Sequence, residues 1–319
     1  MTADRQSSPD FPAELAGAAE RLGIPVLAIE KDYWVTRALR GMAKGHPDGF
    51  IFKGGTSLTK GWGIGHRFSE DIDILVIDRP DPDSVKGREK ILKAICATAA
   101  EACGTTAERL LGGRGEHRTA TVDYDARFAG DGSLLDHIRL ELGYSGGPAP
   151  TGVRNLTPLV ADALAAEGVD VFVHPDLRPF DVTCLHPGRT LIEKIMIVNS
   201  KIGPTTTREE LVSERIARHF YDVHELLGDE RVLELLSDRP TFDAIVHEHL
   251  RVSEAFGGSA PRPKGGFSDA YAFNASGDLV ETLRGAYEEG IAPLYYGPEA
   301  ERPTWQQVVD RVHANAELL

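Results

Sequence analysis

The run Phe50-Ile51-Phe52-Lys53-Gly54-Gly55-Thr56-Ser57, followed after a connection by Asp71-Ile72-Asp73-Ile74-Leu75-Val76, decides how the rest of the chain is read. The apolar residues 50–52 make a short strand, and the glycines after it let backbone approach a ligand with no Cβ in the way. In the second segment alternate residues share a face. Asp71 and Asp73 therefore point to one side, and Ile72 and Ile74 into a core. Two carboxylates on one side of a rigid strand repel each other, and a hard divalent cation between them removes that cost. Mg²⁺ is the simplest such ion. Gly54, Gly55, Thr56 and Ser57 would then offer N–H and hydroxyl groups to phosphates held by the same ion. The pattern predicts a phosphoryl-transfer site.

The surrounding chain allows such a site a proper scaffold. Its 319 residues suffice for one large or two ordinary domains, and 41% apolar with 26% charged residues is the balance of a soluble globular protein. No apolar run approaches the ~20 residues of a membrane span. The start, MTADRQSSPDFP, lacks the basic-then-apolar order of a secretory signal. Cys96, Cys103 and Cys184 have no CxxC spacing, which predicts neither a disulfide framework nor a zinc site. A cytoplasmic protein with reduced thiols and no membrane association is expected. A net charge of −14 excludes binding of nucleic acid by bulk electrostatics, though not by a local groove. Arg109, Arg114, Arg118, Arg127, Arg208, Arg215, Arg218, Arg262 and Lys264 are available to one.

Periodicity predicts helices over 13–22, 26–43 and 84–103, and strands over 117–126, 137–145, 169–174 and 179–185. The glycine-rich 110–116 and the Gly/Pro-rich 146–158 read as connectors. The later half reads as helices, beginning at Thr190 and continuing over 230–236, 241–256, 278–289 and 304–319. A loop over 257–267 carries Arg262 and Lys264. Lys31 and Asp32, in the second helix, read as an exposed charged face as readily as part of a site. Arg215, Arg218 and Asp222 are spaced to share a helix face. His219 between them has the intrinsic range to titrate near neutrality.

The glycine turn followed by Asp-x-Asp resembles the nucleotidyltransferase superfamily that includes DNA polymerase β. The fuller string, Lys53-Gly54-Gly55-Thr56-Ser57-Leu58 and then Arg67-Phe68-Ser69-Glu70-Asp71-Ile72-Asp73, is similar to the AbiEii/AbiGii-type toxins of bacterial toxin–antitoxin and phage-defence systems, the MenT-type toxins among them. Ile29-Glu30-Lys31-Asp32-Tyr33-Trp34-Val35 and the Arg/His-rich 215–223 also match. The resemblance implies an α/β (α+β) fold: a polymerase β-like domain with a small mixed sheet and N-terminal helices over 1–185, and a helical C-terminal domain over 186–319. It makes Glu141, on the alternating strand Ile138–Gly143, the third metal carboxylate beside Asp71 and Asp73. It assigns Lys194 to the nucleotide phosphates; the apolar helix by itself asks only that the ammonium have an anionic partner. Lys60 and Arg67 join Gly54, Gly55, Thr56, Ser57 and Lys194 as nucleotide-binding residues. Asp222 is expected either to clamp a basic neighbour or to accept a proton.

The reading that follows is transfer of a nucleoside monophosphate from an NTP to an acceptor hydroxyl, with two Mg²⁺ ions. By resemblance the acceptor is the tRNA 3′ end, whose blocking stops translation, and a cognate antitoxin restrains the enzyme. Arg215, Arg218, Arg262 and Lys264 are the candidate RNA contacts. Two other readings stand beside this one: transfer to a protein hydroxyl, and a silent nucleotide-binding regulator. Ser69, two residues before Asp71, is a candidate regulatory position, because a phosphate there would repel NTP.

Overall fold

The computed structural model describes residues 4–69, 71–113, 115–130, 134–254 and 258–319. The chain divides into two compact units, one of residues 1–61 and 68–184, the other of 62–67 and 185–319. The short excursion 62–67 is what a boundary drawn at 185 alone does not anticipate.

In the first unit, α1 (Phe11–Leu22) and α2 (Val26–Gly45) precede β1 (Phe50–Lys53). The chain then turns through α3 (Gly54–Ser57) into a π-helical turn, Leu58–Trp62. Next come β2 (Asp71–Val76), α4 (Val85–Ala102), β3 (Ala107–Gly113), β4 (His117–Val122), β5 (Ile138–Gly143), β6 (Thr151–Leu156), α5 (Leu159–Ala166) and β7 (Phe180–Leu185). The strands form one seven-stranded sheet in the order β3-β4-β5-β2-β1-β7-β6. It is mixed: β2 runs antiparallel to β1 and parallel to β5, and β1 is parallel to β7.

One face of this sheet is apolar. Ile72, Ile74, Leu140, Leu142, Ala120 and Val122 are all buried on it, and α2 and α4 pack against that part of the sheet. The two helices approach closely because Gly41 stands at their contact, where a Cβ would lie 2.5 Å from Ala102 Cβ. With the apolar face committed to helices, the pleat sends every intervening side chain of β2 and β5 to the other face. That is how the core fixes the direction of Asp71 and Asp73.

Three segments differ from expectation. Residues 107–113 form β3 rather than a connector, since pairing with β4 supplies the order that their glycines do not; Arg114 lies outside the described residues. Residues 151–156 form β6, an edge strand of alternating burial. Residues 171–173 are a 3₁₀ turn and not a strand, opened by the Asp170 side chain accepting from Phe172 N at 3.0 Å. The sheet is mixed, as expected, with seven strands among the described residues.

The second unit is helical: α6 (Pro187–Lys201), α7 (Arg208–Ser213), α8 (Ile216–Leu226), α9 (Glu230–Ser237), α10 (Arg239–Ser253), α11 (Asp278–Ile291) and α12 (Trp305–Ala314). The last residues of the expected helix 241–256 lie outside the described ones. α8 is central, packing against α6, α7, α11 and α12. Its Phe220 meets Trp305 edge-on at 4.7 Å between ring centroids. Among the described residues no helix is long and apolar enough to cross a membrane.

Candidate active site

The polar face of the sheet gathers five charges in two rows. Register pairs Asp71 with Arg139 and Asp73 with Glu141 across β2 and β5, and Lys53 with Asp73 across β1 and β2. Thr121 and Thr119 of β4 continue the rows as buried neutral positions. Directly opposed Asp73 and Glu141 carry like charge, an arrangement that destabilises a sheet unless neighbours compensate. Arg139 does so: its Nη2 lies 2.9 Å from Glu141 Oε1. Asp71 and Asp73 thus share a face as the alternation requires. Glu141 is also on that face, but its carboxylate is taken by Arg139. Among the described residues no three His, Cys, Asp or Glu side chains gather closely enough to hold an ion. Arg139 thus competes for the carboxylate that the resemblance makes the third metal ligand.

Two hard oxygen donors suit Mg²⁺, which is commonly held by one or two carboxylates together with phosphates and water. The glycine turn fits this arrangement. Gly54 has φ +74°, and a Cβ there would stand 2.0 Å from Asp73 Oδ2. The glycine is thus required twice, by its left-handed backbone and by the carboxylate against it. Gly54→Ala is expected to abolish function by displacing Asp73 and to destabilise the protein by about 1–3 kcal/mol from the backbone conformation alone. Turnover beside a thermal melt checks both effects, and wild-type turnover in the variant would show that Asp73 need not stand where it does.

The hydroxyls of the turn have other duties. Thr56 Oγ1 donates to Asp71 O at 2.6 Å, and Ser57 Oγ donates to Gly54 O at 2.9 Å. Both side chains are buried, so they pin the turn to β2 and to itself rather than face a phosphate. The hydroxyls expected to bind nucleotide thus already have backbone partners. What the turn retains is the N–H groups of the helix start, which have no intrahelical acceptor. Lys60, expected to bind nucleotide, has its ammonium ion-paired to Asp32 and 3.3 Å from Thr157 O.

Asp32 belongs to a run of five α2 residues that each anchor a different segment. Glu30 accepts from Arg127 N and Phe128 N, while Lys31 Nζ donates to Leu135 O and His137 O at 2.6 and 2.7 Å. Asp32 also accepts from Leu159 N at 2.7 Å, Tyr33 donates to Asp176 at 2.6 Å, and Trp34 stacks on Tyr124. Of the two readings of Lys31 and Asp32, an exposed charged face or part of the site, the exposed face is not found: both belong to an internal spine. Glu30's carboxyl is pushed up by burial, against the two N–H groups that favour its ionised form.

In the second unit a buried carboxylate joins two cations. Asp222 of α8 accepts from Arg67 Nε at 2.7 Å and Arg67 Nη2 at 2.6 Å, one guanidinium edge spanning both oxygens. Its Oδ2 also lies 2.7 Å from Lys194 Nζ of α6. The 62–67 excursion is held here by His66 N donating to the Tyr221 hydroxyl at 2.7 Å. Burial alone would push the Asp222 carboxyl up, but the charges and hydrogen bonds of Arg67 and Lys194 outweigh it and hold the pKa well below the usual carboxylate range. So placed, Asp222 is a clamp and a poor proton acceptor. Arg67, whose guanidinium edge spans that carboxylate, is part of the clamp. His219 is driven down to about 3 by burial and by the Lys194 charge, so it stays neutral at physiological pH, as a structural histidine does.

The candidate RNA contacts separate. Arg215 is not on α8 but precedes it at φ 53°, so it does not share a helical face with Asp222. Arg218 is on α8 and half-buried. Arg262 donates through Nε to Leu319 O at 2.6 Å and lies over the Phe242 and Phe267 rings, so it also serves as a structural tie. Lys264 is exposed. Ser69 is half-buried, with its carbonyl 3.5 Å from Thr56 Oγ1; Glu70, also in the expected motif, lies outside the described residues. Sequence reasoning overlooked the role of Arg139, although the alternation that placed Glu141 placed Arg139 beside it.

A family model described as the nucleotidyl transferase AbiEii toxin of type IV toxin–antitoxin systems matches residues 37–311. The chain belongs to this family. Its matched span contains the glycine turn, the Asp71/Asp73 strand and the Lys194–Asp222–Arg67 cluster. Among solved structures, MenT4, a nucleotidyltransferase toxin from Mycobacterium tuberculosis, is similar over 95% of this chain and 98% of its own, with TM-score 0.54 and 14% identity. At that identity the likeness shows a shared fold. JHP933 from Helicobacter pylori aligns over 88% of this chain and 92% of its own at 14% identity, but its TM-score of 0.31 carries no argument. No curated relative matches the sequence. Family membership identifies a nucleotidyltransferase of the toxin–antitoxin class, which implies an NTP substrate and an antitoxin partner.

Proposed function

We propose that this toxin moves a nucleoside monophosphate from an NTP onto an RNA hydroxyl, the tRNA 3′ end foremost, and so blocks translation until its antitoxin counters it. The observation that carries this reading is the pairing of Asp71 and Asp73 on one face, with the Gly54 turn abutting Asp73. Asp71 and Asp73 would hold Mg²⁺, which when bound supplies positive charge to the reacting phosphates. Gly54 and Gly55 would present backbone N–H groups to phosphate oxygens. Lys194 offers a compact cation suited to the charge that develops on departing pyrophosphate. Asp222 holds that ammonium in place through one oxygen while Arg67 fixes the carboxylate's orientation. The RNA candidates remain Arg215, Arg218, Arg262 and Lys264.

The deciding experiment incubates the protein with Mg²⁺, each α-labelled NTP and total tRNA, beside a lysate-protein arm. Label in tRNA, confined to one NTP, supports the reading and names the nucleotide. Label in protein would replace the acceptor, and tight NTP binding without transfer would replace the reaction.

A further inference from the structure

We propose that Arg139 is a substrate-contacting catalytic residue of this site, and that Glu141 serves to position it rather than to bind metal. The inference rests on the nucleotidyltransferase reading above. Three observations carry it. Arg139 is in register with Asp71 on the adjacent parallel strand, so its side chain rises from the carboxylate face. Its Nη2 is held by Glu141 at 2.9 Å, two residues along the same strand and on the same face. Its Nε is shielded from solvent yet has no hydrogen-bond partner among the described residues. A shielded guanidinium N–H normally finds an acceptor. On the face of Asp71 and Asp73 that N–H is a donor open to an anionic oxygen of a substrate.

The chemistry of the neighbours says which oxygen. A guanidinium keeps its charge at any relevant pH and presents its N–H groups as a planar fork matched to phosphate. Glu141 engages one nitrogen of that fork and leaves Nε to the substrate. The triphosphate is the anion this face is read to receive, so Arg139 contacts a phosphoryl oxygen of NTP. The same arrangement explains why Glu141 can stand directly opposite Asp73. Its charge is spent on Arg139, and the ion-holding face keeps two carboxylates in place of three.

Arg139→Met preserves bulk without charge, Arg139→Lys restores charge without the fork, and Glu141→Gln retains one oxygen toward Arg139. NTP transfer kinetics are measured with Mn²⁺ affinity, read by electron paramagnetic resonance of the free ion. Arg139→Met is expected to raise KM for NTP or lower kcat/KM by about 100-fold, with Arg139→Lys recovering only part. Glu141→Gln should leave Mn²⁺ affinity within about twofold of wild type and lower kcat/KM by about tenfold. A tenfold or greater loss of Mn²⁺ affinity in Glu141→Gln, or wild-type kinetics in Arg139→Met, would overturn the proposal. Asp71→Ala in parallel separates the two levels. If Asp71→Ala transfers normally, the nucleotidyltransferase reading itself fails; if it is inactive and Arg139→Met is normal, only the role of Arg139 fails.

Discussion

Asp71→Ala is expected to reduce nucleotide transfer by about a thousandfold or more while leaving the fold intact. Loss of a metal-holding carboxylate removes several kcal/mol of stabilisation from the transferring phosphates, and each ~1.4 kcal/mol is tenfold in rate. The fold should survive because Asp71 contributes no apolar area to the core: its neighbours Ile72 and Ile74 do that on the opposite face. Removing one of two like charges on a strand also relieves repulsion. The melting temperature should therefore hold within a few degrees, or rise. Asp73→Ala should behave alike in rate, with more local disturbance because Gly54 packs directly against that carboxylate. Turnover of labelled NTP measured beside thermal unfolding checks both halves. An active Asp71→Ala protein would sink the metal assignment. An inactive but unfolded one would make Asp71 structural, and Asp71→Asn, which keeps the shape, would then have to be inactive while folded for the assignment to stand.

What the sequence made legible follows from periodicity. Alternation in 71–76 and 138–143 placed each side chain on its correct face, because the pleat has a period of two and one face had to be buried. The strands β3 and β6 escaped notice because their glycines depress local strand preference, while pairing in the sheet, a long-range effect, overrides it. At the site the difficulty was of another kind. Residue type told that Lys60, Arg67, Thr56, Ser57 and Arg262 were able to bind phosphate or RNA, but not that each already had an internal partner. A cation in a motif is equally a ligand for a substrate and for a buried carboxylate, and only the fold decides. The same holds for Glu141, whose partner Arg139 sits two residues away on its own strand. Asp222 shows the converse: its type left clamp and base open, and two cations on one carboxylate decide for the clamp.

Asp222→Asn is accordingly expected to be the most destabilising of the site substitutions. It leaves Arg67 and Lys194 buried without their shared anion, and breaking such a cluster from one side typically costs about 3–5 kcal/mol. For a chain of this size that lowers the melting temperature by roughly 10 °C at neutral pH. Lys194→Met should differ in kind. The Arg67–Asp222 pair stays whole, so stability falls less, while transfer falls by about 100- to 1000-fold if Lys194 meets developing phosphate charge. The pH dependence separates the contributions. Asp222's pKa is lowered in the folded state, so its stabilisation is complete above the unfolded carboxylate value of ~3.9 and is lost as pH falls below it. His219 is pushed down to about 3, whereas the unfolded imidazole titrates near ~6.5. Between those values the unfolded chain binds a proton that the folded one refuses, so stability falls as pH drops from ~6.5 toward 3. Urea unfolding of the wild type should thus weaken first below pH 6.5 and again below pH 4. His219→Gln should lessen the first loss, which burial-lowered His186 shares, and Asp222→Asn should lessen the second, which Asp229 shares, while lowering stability throughout the neutral range. A wild type equally stable at pH 7 and pH 5 would mean that His219 is not buried as neutral imidazole beside Lys194, and the buried cluster would have to be reconsidered from that residue outward.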